Sequence, residues 1–408
     1  MEAALLPPPA FTRPTRADPG PFLAVSHDAG RTGAPIGLLA FLSWQREQTG
    51  QPVATLLRAP GPLAPEFAAL GPCLVLADTW LHRTRAGRRL LGRLPRSVAA
   101  QSARLLRFAR TIQPRVIYAN TLTHGGLLAT LAPLGVPVVS HAHELEYWIT
   151  RLGPDNLRLT RQHTHHFIAA AEAVARNLRT NHRVDPSRLT VIHEHIARLP
   201  APRDAATRER ERQRLGLPPE AFVVGSCGAE HWRKGRDLIP NLLRAVQRRL
   251  PERPVRFLWI GRPGTTEEER ALRHDLRLTG TEAAYVATGE LADPFPSYTA
   301  LDAFALLSRD DPFPLACLEA AAAGAPVVCF EDAGGMPEFT ARGAGLSVPY
   351  LDGEAMAEAF ARIAREPALA AGLAVTARRE VATHHLPQHT APRILEVLAR
   401  ASAPALRR

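Results

Sequence analysis

Short apolar, β-rich runs alternate with longer stretches in which apolar positions recur every three to four residues. In the first half the short runs fall at residues 22–26, 53–57, 73–76, 116–119, 136–140, 167–170 and 189–192. In the second half they fall at 222–226, 255–260, 284–288, 302–307, 326–330 and 345–348. Helical patterns lie between them, as at 34–48, 172–180, 235–248 and 354–365. Strand–helix alternation of this kind predicts α/β architecture with parallel sheets. The two halves also begin alike. Phe22-Leu-Ala-Val-Ser26 runs into a turn carrying Gly30 and Gly33, and Phe222-Val-Val-Gly-Ser226 into a turn carrying Gly228, each followed by a helix. The expectation is two Rossmann-like, doubly wound domains facing each other across a cleft. Ligands bind outside the C-terminal ends of such strands, so the site belongs in that cleft.

The expected boundaries are a disordered, Pro-rich lead-in at 1–19, a first domain at 20–200 and a second at 201–385. The junction is placed in the Pro- and charge-rich segment 197–219. Residues 386–408 contain a helical stretch near 393–398 that is expected to cross back to the first domain. A chain of 408 residues is too long for one ordinary core, in keeping with two domains. Four scattered cysteines form no C-x-x-C pair, which points to a reducing compartment rather than a disulfide framework. No apolar run reaches the roughly 18 residues a membrane span needs, and the N-terminus lacks a secretory pattern. A cytoplasmic location, free or at the inner face of the cell membrane, is the expectation.

Charge changes the picture twice. The net charge is +11, yet residues 79–143 contain no Asp or Glu. That window holds ten arginines, from Arg83 through Arg96, Arg104, Arg107 and Arg110 to Arg115. After Pro95, Arg96, Arg104, Arg107 and Arg110 fall on one helical side, and Val98, Leu105, Phe108 and Ile112 on the other. Residues 83–110 could therefore meet an anionic membrane surface or an acidic acceptor. Nucleic acid is excluded as a partner for want of a recognition motif or interleaved aromatics. Secondly, of 50 Lys plus Arg residues only Lys234 is lysine. An ammonium is a compact point charge, unlike a planar guanidinium. It sits after a Gly-containing turn at an expected helix start, which suits an anion such as phosphate.

The densest chemistry lies in Leu301-Asp-Ala-Phe-Ala-Leu-Leu-Ser308-Arg-Asp-Asp311-Pro-Phe-Pro-Leu-Ala-Cys-Leu-Glu319, read as strand, loop and helix. A carboxylate at Glu319 can accept two hydrogen bonds from a vicinal diol such as a ribose. One at Asp311 can hold sugar hydroxyls, and the N–H groups of Phe313 and Leu315 point at whatever sits at the helix start. Asp311-x7-Glu319, followed by Gly324-Ala-Pro326-Val-Val, resembles the E-x7-E signature of retaining GT-B glycosyltransferases of the family 4 (group 1) type. Lys234-Gly235 is similar to that family's donor-phosphate lysine, and Gly334-Gly335-x-Pro337-Glu338 to a recurrent loop. The segment from Val25 through Gly30-Arg31-Thr32-Gly33 resembles its Gly-rich entry loop, and Val138 to Glu144 its histidine-bearing strand end.

The resemblance implies a sugar moved from a nucleotide diphosphate donor to an acceptor hydroxyl with retention, as in cell-surface polysaccharide, glycolipid or glycoconjugate synthesis. The acceptor would be a sugar, a lipid-linked sugar or a glycoconjugate. It implies that His143, Asp311 and Lys234 are catalytic. Gly228, Arg233, Lys234, Phe313, Pro314, Leu315 and Glu319 would bind the donor, and Gly30, Arg31, Thr32 and Gly33 would form the acceptor-side loop. The chain departs from the family in carrying Asp rather than Glu at 311, Pro314 where Gly is common, and Gly228 where an arginine often clamps the diphosphate. Arg233 is then the expected substitute. No cofactor and no metal are expected, since His163, His165 and His166, the pair His193 and His195, and the pair His384 and His385 lack ligand spacing with supporting residues. A sugar-nucleotide epimerase, or a degenerate GT-B protein that only binds sugar nucleotides, is the alternative.

Overall fold

A computed structural model describes residues 18–76, 95–229 and 231–403. Residues 1–17 and the arginines from Arg83 to Arg93 lie outside the described residues. Two wholly parallel sheets form the framework. The first contains β1 (Phe22–Ser26), β2 (Ala54–Leu57), β3 (Cys73–Val75), β4 (Val116–Ala119), β5 (Val138–Ala142), β6 (His166–Ala169) and β7 (Leu189–Val191), in the order β3-β2-β1-β4-β5-β6-β7. The second contains β8 (Phe222–Cys227), β9 (Val255–Ile260), β10 (Tyr285–Ala287), β11 (Ala303–Leu306), β12 (Val327–Phe330) and β13 (Gly345–Val348), in the order β10-β9-β8-β11-β12-β13. In each sheet the order reverses beside the first strand, at β1/β4 and at β8/β11. Those switch points are where doubly wound sheets open a crevice for ligands.

Each sheet is buried on both faces because its strands are nearly uninterrupted in Val, Ile, Leu, Phe and Ala. On the first sheet, Leu23, Val25 and Ile117 pack against the Pro95–Ile112 helix side, and Phe22, Ala24 and Tyr118 against the other. The C-terminal helix, Pro387–Ser402, belongs to that second face: Ile394, Leu395 and Leu398 share a core with Phe22, Phe41, Tyr118 and Ile168. The preceding helix, Pro367–His384, packs instead against the second-sheet side through Ala377 and Val381. The chain thus crosses back between residues 384 and 387. A further apolar cluster joins the lobes: Ala171 and Val174 share it with Phe313, Leu318 and Met336.

One expectation needs correction. The pattern at 235–248 is not one helix starting at Gly235. Gly235 is left-handed (φ 66°), and its ideal Cβ would lie 2.1 Å from the Leu307 carbonyl oxygen, so the backbone turns sharply there. Short 3-10 turns occupy Trp232–Lys234 and Arg236–Leu238, and the α-helix proper is Ile239–Arg249. The segment 197–219, where the junction is expected, carries regular structure. It contains the helix Ala205–Arg214, capped by the Asp204 carboxylate accepting from Thr207 N. Arg208 and Arg212 donate to Asp302 at 2.6 and 2.7 Å, and Asp302 also accepts from Val223 N. Asp302 is therefore a structural anchor that ties this helix to β8 and β11.

Replacing Asp302 with Ala strands the Arg212 guanidinium, whose side chain is only 4% exposed, and is expected to cost about 3 kcal/mol. Chemical denaturation of Asp302→Ala against wild type reads this as a lowered midpoint. An unchanged midpoint would mean the three carbonyl partners of Arg212 suffice.

Candidate active site

The second-domain part of the site is built on the loops that follow β8 and β11. Asp311, 6% exposed, receives Lys234 Nζ at 2.5 Å, Arg233 at 3.0 Å and the Ser308 hydroxyl at 2.9 Å, all on Oδ2. Burial alone would push the Asp311 carboxyl up, but Lys234, Arg233 and Ser308 more than offset it and hold it down at about 2. Arg233 also donates to the Asp310 carbonyl at 2.7 Å. Lys234 is thus on a 3-10 turn rather than at the start of the long helix, and Asp311 aims it. Gly228 lies against Lys234, where an ideal Cβ would be 3.4 Å from the Lys234 side chain. The space beside Gly228 is therefore filled by the lysine stem, and the Arg233 guanidinium lies next to Lys234 on the same Asp311 oxygen. The loop around Asp311 is pinned from behind: Asp311 N donates to the Ala333 carbonyl, and an ideal Cβ on Gly334 would sit 1.7 Å from the Asp311 carbonyl oxygen.

Pro314 is the cap residue of the Leu315–Ala322 helix, with extended φ/ψ of −69° and 125°. Its fixed φ suits that place. Phe313 is buried and packs between His193 and His385, with ring centroids 4.9 and 5.3 Å away. Its side chain is therefore packing, and only its backbone faces the helix start. Glu319, half-buried on that helix, accepts from the Tyr298 hydroxyl at 3.0 Å. Burial pushes its carboxyl up to about 7, with the Tyr298 bond opposing and Asp293 adding to the rise.

The first-domain loop faces this helix start. An ideal Cβ on Gly33 would lie 3.8 Å from the Leu315 side chain, and Arg31 donates across to the Ala292 carbonyl at 2.9 Å. Gly30 N is taken up by Asp28, and Thr32 precedes the Gly33–Thr49 helix in extended conformation. These residues line the mouth. His143 sits deeper. Its Nδ1 pairs with Glu194 and its Nε2 donates to Asn120 Oδ1 at 3.1 Å. Burial pushes His143 down, yet Glu194 and Glu144 bring the net shift up. Both of its nitrogens are therefore engaged with protein, and the His141 ring is 4.1 Å away. Glu144, the residue after His143, is 6% exposed and accepts from Leu122 N and His143 N. Burial pushes it up to about 7.

The tertiary structure adds contacts that no motif marked. Glu338 accepts from Glu172 N at 3.1 Å and Ala173 N at 3.0 Å and pairs with His193 Nε2 at 2.7 Å, so a second-domain carboxylate caps a first-domain helix. Tyr147 N donates to Asp310 across the same cleft. Trp232 remains 54% exposed, with the Arg309 guanidinium 4.9 Å above its ring and Tyr147 5.3 Å away. Alternation on β5 was the available signal for the His141–His143 pair, but nothing in the sequence tied Glu194 to it.

Residues 219–366 match the family model described as glycosyl transferases group 1, and residues 48–196 match the one described as glycosyltransferase family 4. Together they account for most of the chain. A D-inositol 3-phosphate glycosyltransferase of Jonesia denitrificans is 30% identical over 190 residues, which are 45% of this chain and 44% of that protein. One of the same name from Salinispora arenicola is 28% identical over 247 residues, 58% of this chain and 55% of that one. These matches span about half the length of the curated relatives. Among solved structures, Anabaena HepE in complex with UDP and glucose has a TM-score of 0.76 at 20% identity, covering 93% of this chain and 99% of that one. Sucrose-phosphate synthase from Thermosynechococcus elongatus has a TM-score of 0.71 at 20% identity, covering 93% and 98%. The chain has the GT-B fold and belongs to the family 4, group 1 glycosyltransferases.

Proposed function

We propose that this protein transfers a sugar from a nucleotide diphosphate sugar to an acceptor hydroxyl with retention at the anomeric carbon. The observation that carries this reading is the buried cluster of Lys234 and Arg233 on Asp311, set beside the start of the Leu315–Ala322 helix. An incoming diphosphate takes up the Lys234 ammonium, the Arg233 guanidinium and the helix-start amides. These fixed positive groups stabilise the negative charge that develops on the leaving group. The transfer then needs no metal at the phosphates and no cofactor beyond the donor. Asp311 acts mainly by aiming the two cations. Glu319 grips the ribose hydroxyls. Retention follows from attack on the face the diphosphate leaves, and closure of the lobes over the donor limits hydrolysis.

The acceptor enters on the first-domain side, past Gly30 to Gly33. A cavity lined by Arg58, Thr123, Leu127, Leu152 and Asn156 opens at the same strand ends. Its arginine suits a phosphorylated polyol or sugar, the kind of acceptor named for the inositol-phosphate relatives. Synthesis of a cell-surface polysaccharide or glycoconjugate is the proposed setting. No described helix is long and apolar enough to cross a membrane. On the Pro95–Ile112 helix, Arg104, Arg107 and Arg110 are exposed while Leu105 and Ala109 are buried, and this face is proposed to dock on an anionic leaflet.

Three outcomes are expected. Lys234→Ala should lower nucleotide release from the preferred donor about a hundredfold, measured in a donor screen; equal release from both proteins would remove Lys234 from the mechanism. UDP binding should weaken as pH falls from 8 to 6, because the Glu319 carboxylate protonates near 7 and loses the charge that accepts the ribose hydroxyls. Calorimetry should show a fall of up to about tenfold that is absent in Glu319→Gln, and a pH slope retained in that variant would assign it elsewhere. Co-sedimentation with anionic liposomes should fall steeply as salt rises, and salt-independent binding or none would remove the docking face.

A further inference from the structure

The first domain gathers a second cluster of chemical groups, which includes His143. His141 and His143 alternate with Ala142 at the end of β5, so both imidazoles project from one face of the strand. Glu194 approaches them from beyond β7, two strands away in the sheet. One ligand atom from each of the three side chains lies within 4.8 Å of the others. His141 and Glu194 are buried, and the His143 side chain is 12% exposed.

The supporting contacts are those a metal site requires. His141 Nδ1 is 2.7 Å from the Tyr118 hydroxyl. With Nδ1–H donated to that oxygen, Nε2 keeps its lone pair, and Nε2 is buried without a hydrogen-bond partner. His143 Nε2 donates to Asn120 Oδ1, and Asn120 is itself fixed by donating Nδ2–H to the Ala34 carbonyl at 2.8 Å. That leaves His143 Nδ1 for the cluster. Tying the far nitrogen of each imidazole to a protein group sets the tautomer and orientation of a ligating histidine. An ion pair between His143 and Glu194 alone leaves His141 Nε2 unsatisfied in the interior, which is costly. A cation bound by all three satisfies every one of these atoms. His195, the next residue, is held away by the Gly37 carbonyl and the Thr390 hydroxyl.

We propose that His141, His143 and Glu194 form a binding site for one divalent metal ion of the zinc type. Two imidazoles and one carboxylate are a zinc donor set with a fourth position left over. The ion takes the place of the proton shared between His143 Nδ1 and Glu194, with the carboxylate shifting to metal–ligand distance. It clasps the ends of β5 and β7 beneath the cleft. The site uses none of Lys234, Arg233, Asp311 and Glu319, so zinc binding is read independently of their role.

Wild type, His141→Ala, Glu194→Gln and Lys234→Ala are loaded with zinc, dialysed against metal-free buffer and analysed by plasma emission. Cobalt loading gives a visible absorption band as a second reading. Wild type and Lys234→Ala are expected to keep one zinc per chain and the cobalt band. His141→Ala and the nearly isosteric Glu194→Gln are expected to lose both, with circular dichroism unchanged. Substoichiometric zinc in wild type, or one zinc retained equally by the His141 and Glu194 variants, overturns the site. UDP binding measured on the same samples reads the donor site independently.

Discussion

The second-domain half of the site depends on one buried carboxylate. Asp311 is enclosed, and an isolated charge there would be expensive. It stays ionised because two cations and a hydroxyl converge on Oδ2. The dependence is mutual: Lys234 and Arg233 leave bulk water only because Asp311 receives them. Desolvated pairs of this kind are poor sources of net stability, and in the proposed reaction the diphosphate meets this one. Ordered cations need little rearrangement when charge develops on a leaving group. The close fit of Gly334 behind Asp311, where no side chain could be accommodated, shows that the backbone was shaped around this point.

A second constraint is the way the lobes meet. Their contacts combine a small apolar hinge side around Ala171, Phe313 and Met336 with a few directional bonds. Glu338 caps the Glu172–Thr180 helix and holds His193, Tyr147 N reaches Asp310, and Arg31 reaches Ala292. The C-terminal helix is part of the first-domain core although the chain before it belongs to the second. Two crossings therefore connect the lobes near the same end, which leaves the opposite side free to open and close around a ligand.

Much of the fold was legible from local pattern. Buried parallel strands are short, apolar and β-branched, and each of those expected lies within a few residues of an observed one, because the sheet interior tolerates little else. Helix starts were less legible: the 235–248 pattern breaks into 3-10 turns because Gly235 must pass close to the Leu307 carbonyl. In the site, Lys234, Asp311 and Glu319 stood out, the first by its rarity and the acids by their spacing, and Arg233 was found beside the lysine. Tyr298, Asn120 and Glu194 did not stand out. Each acts on a partner distant in sequence, and a single polar residue has no periodicity to betray it.

The sequence by itself determined the two doubly wound lobes, the places where strands end, and the presence of an ammonium and two acids in the segments that follow those strands. These follow from hydrophobic period and residue type, which are local properties of the chain. Only the tertiary structure decided that Asp311 aims the cations, that Phe313 packs while its backbone faces the helix start, and that Glu194 meets His143. Burial and pairing depend on which loops the fold brings face to face, and that is fixed by the packing of both sheets together.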